Sequence, residues 1–360
     1  MKTALVTGIT GQAGYYLSKI LLREGFKVIG LKRRNSTLNN EYRLKNIRGD
    51  LKLEYGDITD PTSLISLLVK HKPTHVYNLA AQSHVWISFK EPLHTFEVTA
   101  KGVLNLLEAI RISGIDCKFF QASSSEMFGT NVSYDYDVQG CSVRYDGPLI
   151  KDLYPFEERY GHVNMTPESD LDGVFQDERT PFNPQSPYAV AKVAAHHYCQ
   201  LYKQAYGMWV SCGIMGNYES PFRGEEFVTK KITSYLKSRV IGYAPPLKLG
   251  NIESFRDWSF AGDTMEAVYL MMQQEKPDNY VIGTGETNSV KSFLETAIDY
   301  LNSLGYNINK DCYEIHPELF RPSEVPYLKM DSSKIRKLGW KPKENFKSLV
   351  EMMMLSELLS

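Results

Sequence analysis

Tyr188 and Lys192 stand four positions apart in SPYAVAK, residues 186–192. On a helix that spacing puts both side chains on one face. A phenol beside an ammonium can take a proton from an alcohol, because a nearby cation favours the phenolate. The chain has 23 tyrosines, so the pattern can arise by chance; a core tyrosine with a surface lysine is the plain alternative. Position argues for chemistry. Upstream, QASSSEMFG (121–129) closes an apolar run with Ser123, Ser124 and Ser125, and Glu126 follows at once. A serine hydroxyl there can hold a substrate oxygen. Glu126 is either a solvated loop carboxylate or a second acid–base group.

The elements that must position these groups alternate in type. TALVTG, FKVIGLK, LKLEYGD, THVYNLAA, CKFFQAS and MWVSCGI read as short buried strands. QAGYYLSKILLREG, PTSLISLLVKHK, PLHTFEVTAKGVLNLLEAIRISG and SPYAVAKVAAHHYCQLYKQAYG read as helices between them. Such alternation predicts a parallel sheet with helices on both faces. Ligands then sit at the carboxyl ends of the strands, where the serines and Glu126 fall. After residue 216, loops such as NYESPFRGEEF and GYAPPLKLGN interrupt shorter elements, which reads as a smaller second lobe.

Gly8, Gly11 and Gly14 lie in TGITGQAG between the first strand and the first helix. Glycines there allow a tight turn and close approach of a pyrophosphate to the helix N-terminus, predicting a dinucleotide site. The second strand ends in Lys32-Arg33-Arg34 rather than in an acid. An acid suits the ribose 2′-hydroxyl of NAD; arginines suit a 2′-phosphate, so the expected cofactor is NADP. A solvated basic edge is the alternative. Asp57 and Ile58 are expected to flank the adenine, and Leu79, Ala81 and Ser83 to line the cofactor.

Composition narrows the class. The net charge is −1, which implies no broad basic face for nucleic acid. No run approaches the roughly 18 apolar residues of a membrane span. Cys117, Cys141, Cys199, Cys212 and Cys312 are odd in number and form no CxxC. A reduced, cytoplasmic protein without a metal is the expectation. His196 and His197 are read as structural.

TGITGQAGYYL, LKRRNS, YGDITD, YNLAAQSHVWISF, QASSSEMFG, SPYAVAK, NYESPFRGEEFVTKKI, LGNIESFRDW and LFRPSEV together carry a family likeness. Over nearly its whole length the chain resembles the GDP-mannose 4,6-dehydratase family of the extended short-chain dehydrogenase/reductases. The resemblance implies a Rossmann-like doubly wound parallel sheet with a smaller C-terminal substrate-binding lobe. Residues 1–215 would form the NADP-binding domain and 216–360 mainly the lobe, with 254–275 returning to the sheet domain. It implies a homodimer or homotetramer acting on a GDP-sugar. Ser124, where the family usually has threonine, would orient the sugar 4-hydroxyl. Tyr188 and Lys192 match the catalytic pair, and Glu126 the active-site glutamate. Gly8, Thr10, Gly11, Gln12, Gly14, Arg33, Arg34, Asp57, Ile58, Leu79, Ala81, Ser83, Tyr188 and Lys192 would hold the cofactor. Ser83 and Asn217 would contact the sugar nucleotide with Arg256, Arg321 would take the phosphates, and Glu324 would lie near the nucleoside.

Two departures stand out. Ala13 replaces the family's usual acidic residue, and 64 positions separate Ser124 from Tyr188, more than the family's spacing. Residues 130–176 therefore read as an aromatic-rich insertion, either a lid or part of a subunit contact. The chemistry expected is dehydration by internal redox, in which Glu126 is the base at C5 and the acid at the 6-hydroxyl. A 4-epimerase would need no such carboxylate. The remaining alternatives are another GDP-sugar, such as GDP-manno-heptose, and a non-catalytic NADP-binding scaffold.

Overall fold

The run TALVT forms β1 (Thr3–Thr7) at the centre of a seven-stranded sheet in a computed structural model of the chain. The structure describes residues 2–34, 41–138, 141–149, 173–242 and 244–360, with backbone alone at 134, 136–138 and 141–143. After β1 come α1 (Gln12–Arg23), β2 (Lys27–Lys32), β3 (Lys52–Tyr55), α2 (Pro61–His71) and β4 (His75–Asn78). Then follow α3 (Val85–Lys90), α4 (Pro92–Phe96), α5 (Gly102–Ser113) and β5 (Lys118–Ser124). A hairpin of β6 (Asn131–Val138) and β7 (Cys141–Pro148) precedes α6 (Pro187–Tyr206) and β8 (Val210–Met215).

The second half contributes β9 (Asn217–Glu219), α7 (Val228–Ile241), β10 (Leu247–Leu249), β11 (Phe255–Arg256) and β12 (Trp258–Phe260). It continues with α8 (Ala261–Met272), β13 (Tyr280–Ile282), β14 (Asn288–Ser289), α9 (Val290–Ser303) and β15 (Tyr313–Ile315). It ends with α10 (Ser333–Arg336) and α11 (Phe346–Leu359).

The large sheet runs β13-β8-β5-β4-β1-β2-β3, parallel throughout. This is the Rossmann-like doubly wound arrangement. Its order reverses between β1 and β4, which opens a crevice at the carboxyl ends of those strands. The strands read as unbroken apolar runs because helices cover both faces. Ala4, Val6, Val28, Tyr77 and Phe120 pack on one side with α1 and α8. Leu5, Ile29, Val76 and Phe119 pack on the other with α2, α5 and α6. A separate core of Ile232, Leu236, Trp258, Phe293, Leu294, Ile298, Leu349 and Met353 holds the smaller lobe.

Two sequence expectations change. The stretch 92–113 is not one uniform helix: a π-helical turn at Glu97–Lys101 links α4 to α5. The segment returning to the sheet domain is longer than 254–275. Met265, Val268 and Met271 of α8 pack into the sheet domain's core, β13 closes the sheet beside β8, and Ile335 and Trp340 join the same core. The run YVI was too short to announce an edge strand. No described helix is long and apolar enough to cross a membrane.

Candidate active site

β5 ends at Ser124, and a 3₁₀ turn, Ser125–Met127, begins there. The Ser124 hydroxyl accepts from the Glu126 amide at 3.3 Å. Gly129 closes the turn at φ +59°, and a Cβ there would lie 1.7 Å from the Asn183 carbonyl oxygen. Only glycine suits that exit, so Glu126 is fixed two residues past the strand end. Glu126 is buried, and among the described residues no donor hydrogen-bonds its carboxylate.

α6 opens at Ser186, whose side chain accepts from the Ala189 amide, with Pro187 at the first helical position. Pro at the first turn and serine at the cap are standard start signals. They set Tyr188 in the first turn and Lys192 one turn on. Burial pushes the Tyr188 phenol above its usual range; the Ser124 hydroxyl and Arg223 oppose this, while Tyr218 and Glu126 add to it. Tyr188, Ser124 and Glu126 are thus within electrostatic reach of one another. Burial lowers Lys192 to about 8. Its Nζ donates to the Ala122 carbonyl at 2.6 Å and lies 5.7 Å from the Tyr188 ring centroid. Arg223, which the sequence reading passed over, is a second cation near Tyr188 and opposes the effect of burial on its phenol.

The glycine loop fits a dinucleotide. A Cβ on Gly8, at φ +64°, would lie 2.9 Å from the Ala80 nitrogen, and one on Gly14 would lie 2.4 Å from the Ile9 oxygen. Gly11 caps α1 without a side-chain hydrogen bond, leaving the first-turn amides for an anion. Thr10 offers its backbone; its carbonyl accepts from Arg43 at 3.3 Å. The Gln12 side chain is committed to the smaller lobe: it donates to the Tyr218 carbonyl at 2.9 Å and accepts from Ser220 at 2.7 Å. The Leu79 and Ala80 amides donate to the Thr7 hydroxyl, both at 3.1 Å. Ala81 is half-buried on this edge and Ser83 is exposed.

At the end of β2, Lys32 is ion-paired with Glu41 and lies over the Tyr55 ring. Arg33 and Arg34 are exposed and have no ion pair among the described residues. The Asp57 carboxylate is occupied by its own turn, accepting from the Thr59 amide and hydroxyl. Ile58 is buried beneath Gly102 of α5.

On the substrate side, Asn217 opens β9 just past the sheet edge, its amide on the Asp257 carbonyl at 3.0 Å. Arg256 is buried; its Nη2 donates to Glu324 at 2.9 Å, and Arg321 Nη1 donates to the same oxygen at 3.0 Å. Burial lowers Arg256 from its ordinary value, against the pull of Glu126. The structure therefore brings Ser124, Glu126, Tyr188, Lys192 and Arg256 to one centre. Arg321 and Glu324 reach it through Arg256.

The hairpin within 130–176 is anchored. Arg144 forms two hydrogen bonds to Asp177, at 2.8 and 2.7 Å, and Ser133 bridges to Phe175. Of the aromatics that make this insertion aromatic-rich, Tyr154, Phe156 and Tyr160 lie outside the described residues. A cavity of about 410 Å³ sits on the other flank of α6, lined by Glu178, Phe182, Val193, His196 and His197. It contains none of the four chemistry-bearing side chains.

The family model described as GDP-mannose 4,6 dehydratase matches residues 5–137 and 157–353, leaving 138–156 unmatched. GDP-mannose 4,6 dehydratase 1 of Arabidopsis thaliana is 46% identical, with 99% of this chain and 90% of that protein covered. GDP-mannose 4,6 dehydratase of Homo sapiens is 37% identical, with 97% and 90% covered. Among solved structures, a dTDP-glucose 4,6-dehydratase of Streptomyces venezuelae with NAD bound superposes at TM-score 0.78 and 20% identity, covering 98% of this chain and 96% of that one. A Pseudomonas aeruginosa protein complexed with NADPH superposes at 0.72 and 19% identity, with both chains fully covered. These two likenesses speak to the fold.

Proposed function

The chain belongs to the GDP-mannose 4,6-dehydratase family, and from that premise we propose that it converts GDP-mannose into GDP-4-keto-6-deoxymannose by internal redox and loss of water, with NADP as cofactor and Ser124, Glu126, Tyr188 and Lys192 as its working groups. The observation that carries the residue assignment is the buried Glu126 carboxylate, without a hydrogen-bond donor among the described residues, beside the Ser124–Tyr188 pair. A dehydrogenase or an epimerase needs no second acid–base group there.

A bound nicotinamide supplies a temporary acceptor for the C4 hydride, which ends on C6. The Gly8–Gly14 loop and the first turn of α1 hold the pyrophosphate. Ser124 holds the sugar 4-hydroxyl and Tyr188 takes its proton. Lys192, fixed on the Ala122 carbonyl, places a cation beneath the Tyr188 ring. The ketone formed at C4 acidifies the hydrogen on C5. Glu126 removes that proton and delivers it to the departing 6-hydroxyl, which leaves as water. The C4 hydride then lies on C6 and the O4 proton equivalent on C5, so atoms and electrons balance with no net oxidation.

Arg33 and Arg34, exposed and without an ion pair among the described residues, support a 2′-phosphate. Asn217, Arg256 and Arg321 take the diphosphate sugar, and Glu324 lies towards the nucleoside. Because both arginines donate to the Glu324 carboxylate, an entering diphosphate must compete with it for them. We further place the protein in the cytoplasm as a homodimer or homotetramer. The test mixes the protein with GDP-mannose and catalytic NADP⁺ and follows product mass and NADPH absorbance. A product lighter by one water with no net NADPH is expected. GDP-manno-heptose is assayed alongside, because residues 138–156 lie outside the match to the family model. Glu126→Gln is expected to retain cofactor and lose dehydration; near-normal turnover in that variant overturns the assignment.

A further inference from the structure

Thr7, Asn78 and Gln121 are directly opposite one another on three neighbouring strands, β1, β4 and β5. Side chains in one row of a parallel sheet point to the same face. All three are buried, at 0%, 0% and 1% exposure. They form one directional chain of hydrogen bonds. The Leu79 and Ala80 amides donate to Thr7; Thr7 donates to Asn78 Oδ1 at 2.6 Å; Asn78 Nδ2 donates to Gln121 Oε1 at 2.8 Å. Gln121 Nε2 then donates to the Ala122 carbonyl at 2.9 Å, and Lys192 Nζ donates to that same oxygen at 2.6 Å.

We propose that Gln121 is a positioning residue for catalysis: it orients the Ala122 carbonyl so that Lys192 is held beneath Tyr188, and it ties that ammonium to the strand ends of the cofactor crevice. This rests on the proposed dehydratase reading. A carbonyl oxygen has two acceptor directions. Gln121 occupies one and leaves the other for Lys192, so the ammonium has one geometry. Every side-chain oxygen and nitrogen in the row has a partner, and a buried polar network that loses one member leaves its neighbours unsatisfied. The backbone amides that start the row sit against Gly8 of the glycine loop. The row therefore carries the position of the strand ends to the lysine through buried side chains of the sheet. An apolar residue of similar length would fill the same space and lose both amide contacts.

The titratable groups facing this end of β5 are Lys192, His196 and Cys199 from α6, Cys212 from β8, and Tyr188 and Glu126 at the mouth. Gln121→Glu separates the alternatives. A neutral carboxyl can accept from Asn78 and donate to the Ala122 carbonyl; an ionised one cannot donate, and its charge draws Lys192 away.

The experiment measures kcat, KM for GDP-mannose and the pH profile of wild type, Gln121→Met and Gln121→Glu. A second readout follows the Lys192 titration by NMR with carbon-labelled lysine, the resonance assigned by its loss in Lys192→Met. Gln121→Met is expected to lose on the order of tenfold or more in kcat, with KM within about twofold and the Lys192 midpoint displaced. Gln121→Glu is expected to work at acid pH and to fail as its carboxyl ionises, a limb absent from wild type. It keeps the test decisive if Gln121→Met does not fold. Wild-type kcat, pH profile and Lys192 midpoint in the variants would overturn the proposal. Failure of the wild type on GDP-mannose overturns the functional reading instead, and the Lys192 titration still judges Gln121.

Discussion

Replacing Lys192 with methionine separates what the lysine does for chemistry from what it does to stability. Burial takes Lys192 from 10.5 down to about 8. Each unit is worth about 1.4 kcal/mol, so carrying the ammonium inside costs the fold about 3 kcal/mol. The sign follows from proton counting. Between pH 8 and 10.5 the unfolded chain binds this proton and the folded chain does not, so stability rises with pH in that window. Below pH 8 the cost is present in full. From pH 7 to pH 9.5 this group alone should return about 2 kcal/mol. Lys192→Met cannot titrate, so the unfolding free energy of wild type minus that of the variant should rise by about that amount. Urea unfolding at the two pH values measures it, and taking the difference cancels the other groups. The variant should be inactive yet no less stable at pH 7. A difference independent of pH would refute a buried, charged Lys192.

Three further outcomes are expected. Arg33→Ala with Arg34→Ala should weaken NADP binding tenfold or more while leaving NAD nearly unaffected, since a charged hydrogen bond is worth about 1.5–3 kcal/mol; cofactor titration by fluorescence measures the ratio. Gly129→Ala should destabilise the fold by at least about 2 kcal/mol, because it adds left-handed strain to a contact 1.7 Å from a carbonyl; the shift in urea midpoint reads it. Arg321→Met should raise KM for GDP-mannose about tenfold with kcat within about twofold, because its partner phosphate is bound alike in ground and transition states.

The residues proposed to carry the chemistry are legible because local patterns announce them. The glycine loop lies between a strand and a helix, and Ser124 and Glu126 sit where an apolar run stops. Tyr188 and Lys192 share one helical face. What was illegible depends on partners far along the chain. Gln12 is paired with Tyr218, 206 positions away. Arg43 joins the Thr10 carbonyl to that of Phe222, bridging the crevice to the smaller lobe. Gln121 looks like any polar residue until Asn78 lies beside it. Glu324 was expected towards the nucleoside, and nothing in RPSEV tells that two arginines converge on it. The three-residue β13 carries no periodicity long enough to assign it to the sheet.

That last strand has a consequence for how the molecule is made. When a ribosome has released residues as far as 215, six strands of the sheet exist, but the outer edge of β8 has no neighbour. Its main-chain N–H and C=O groups are a template for pairing with another chain. The apolar side of α1 is bare as well, because Met265, Val268 and Met271 have yet to be synthesised. Ile335 and Trp340 come later still, close to the C-terminus. The nucleotide-binding half therefore cannot complete itself during translation. It stays open, and adhesive, until residues as far as Trp340 have been made.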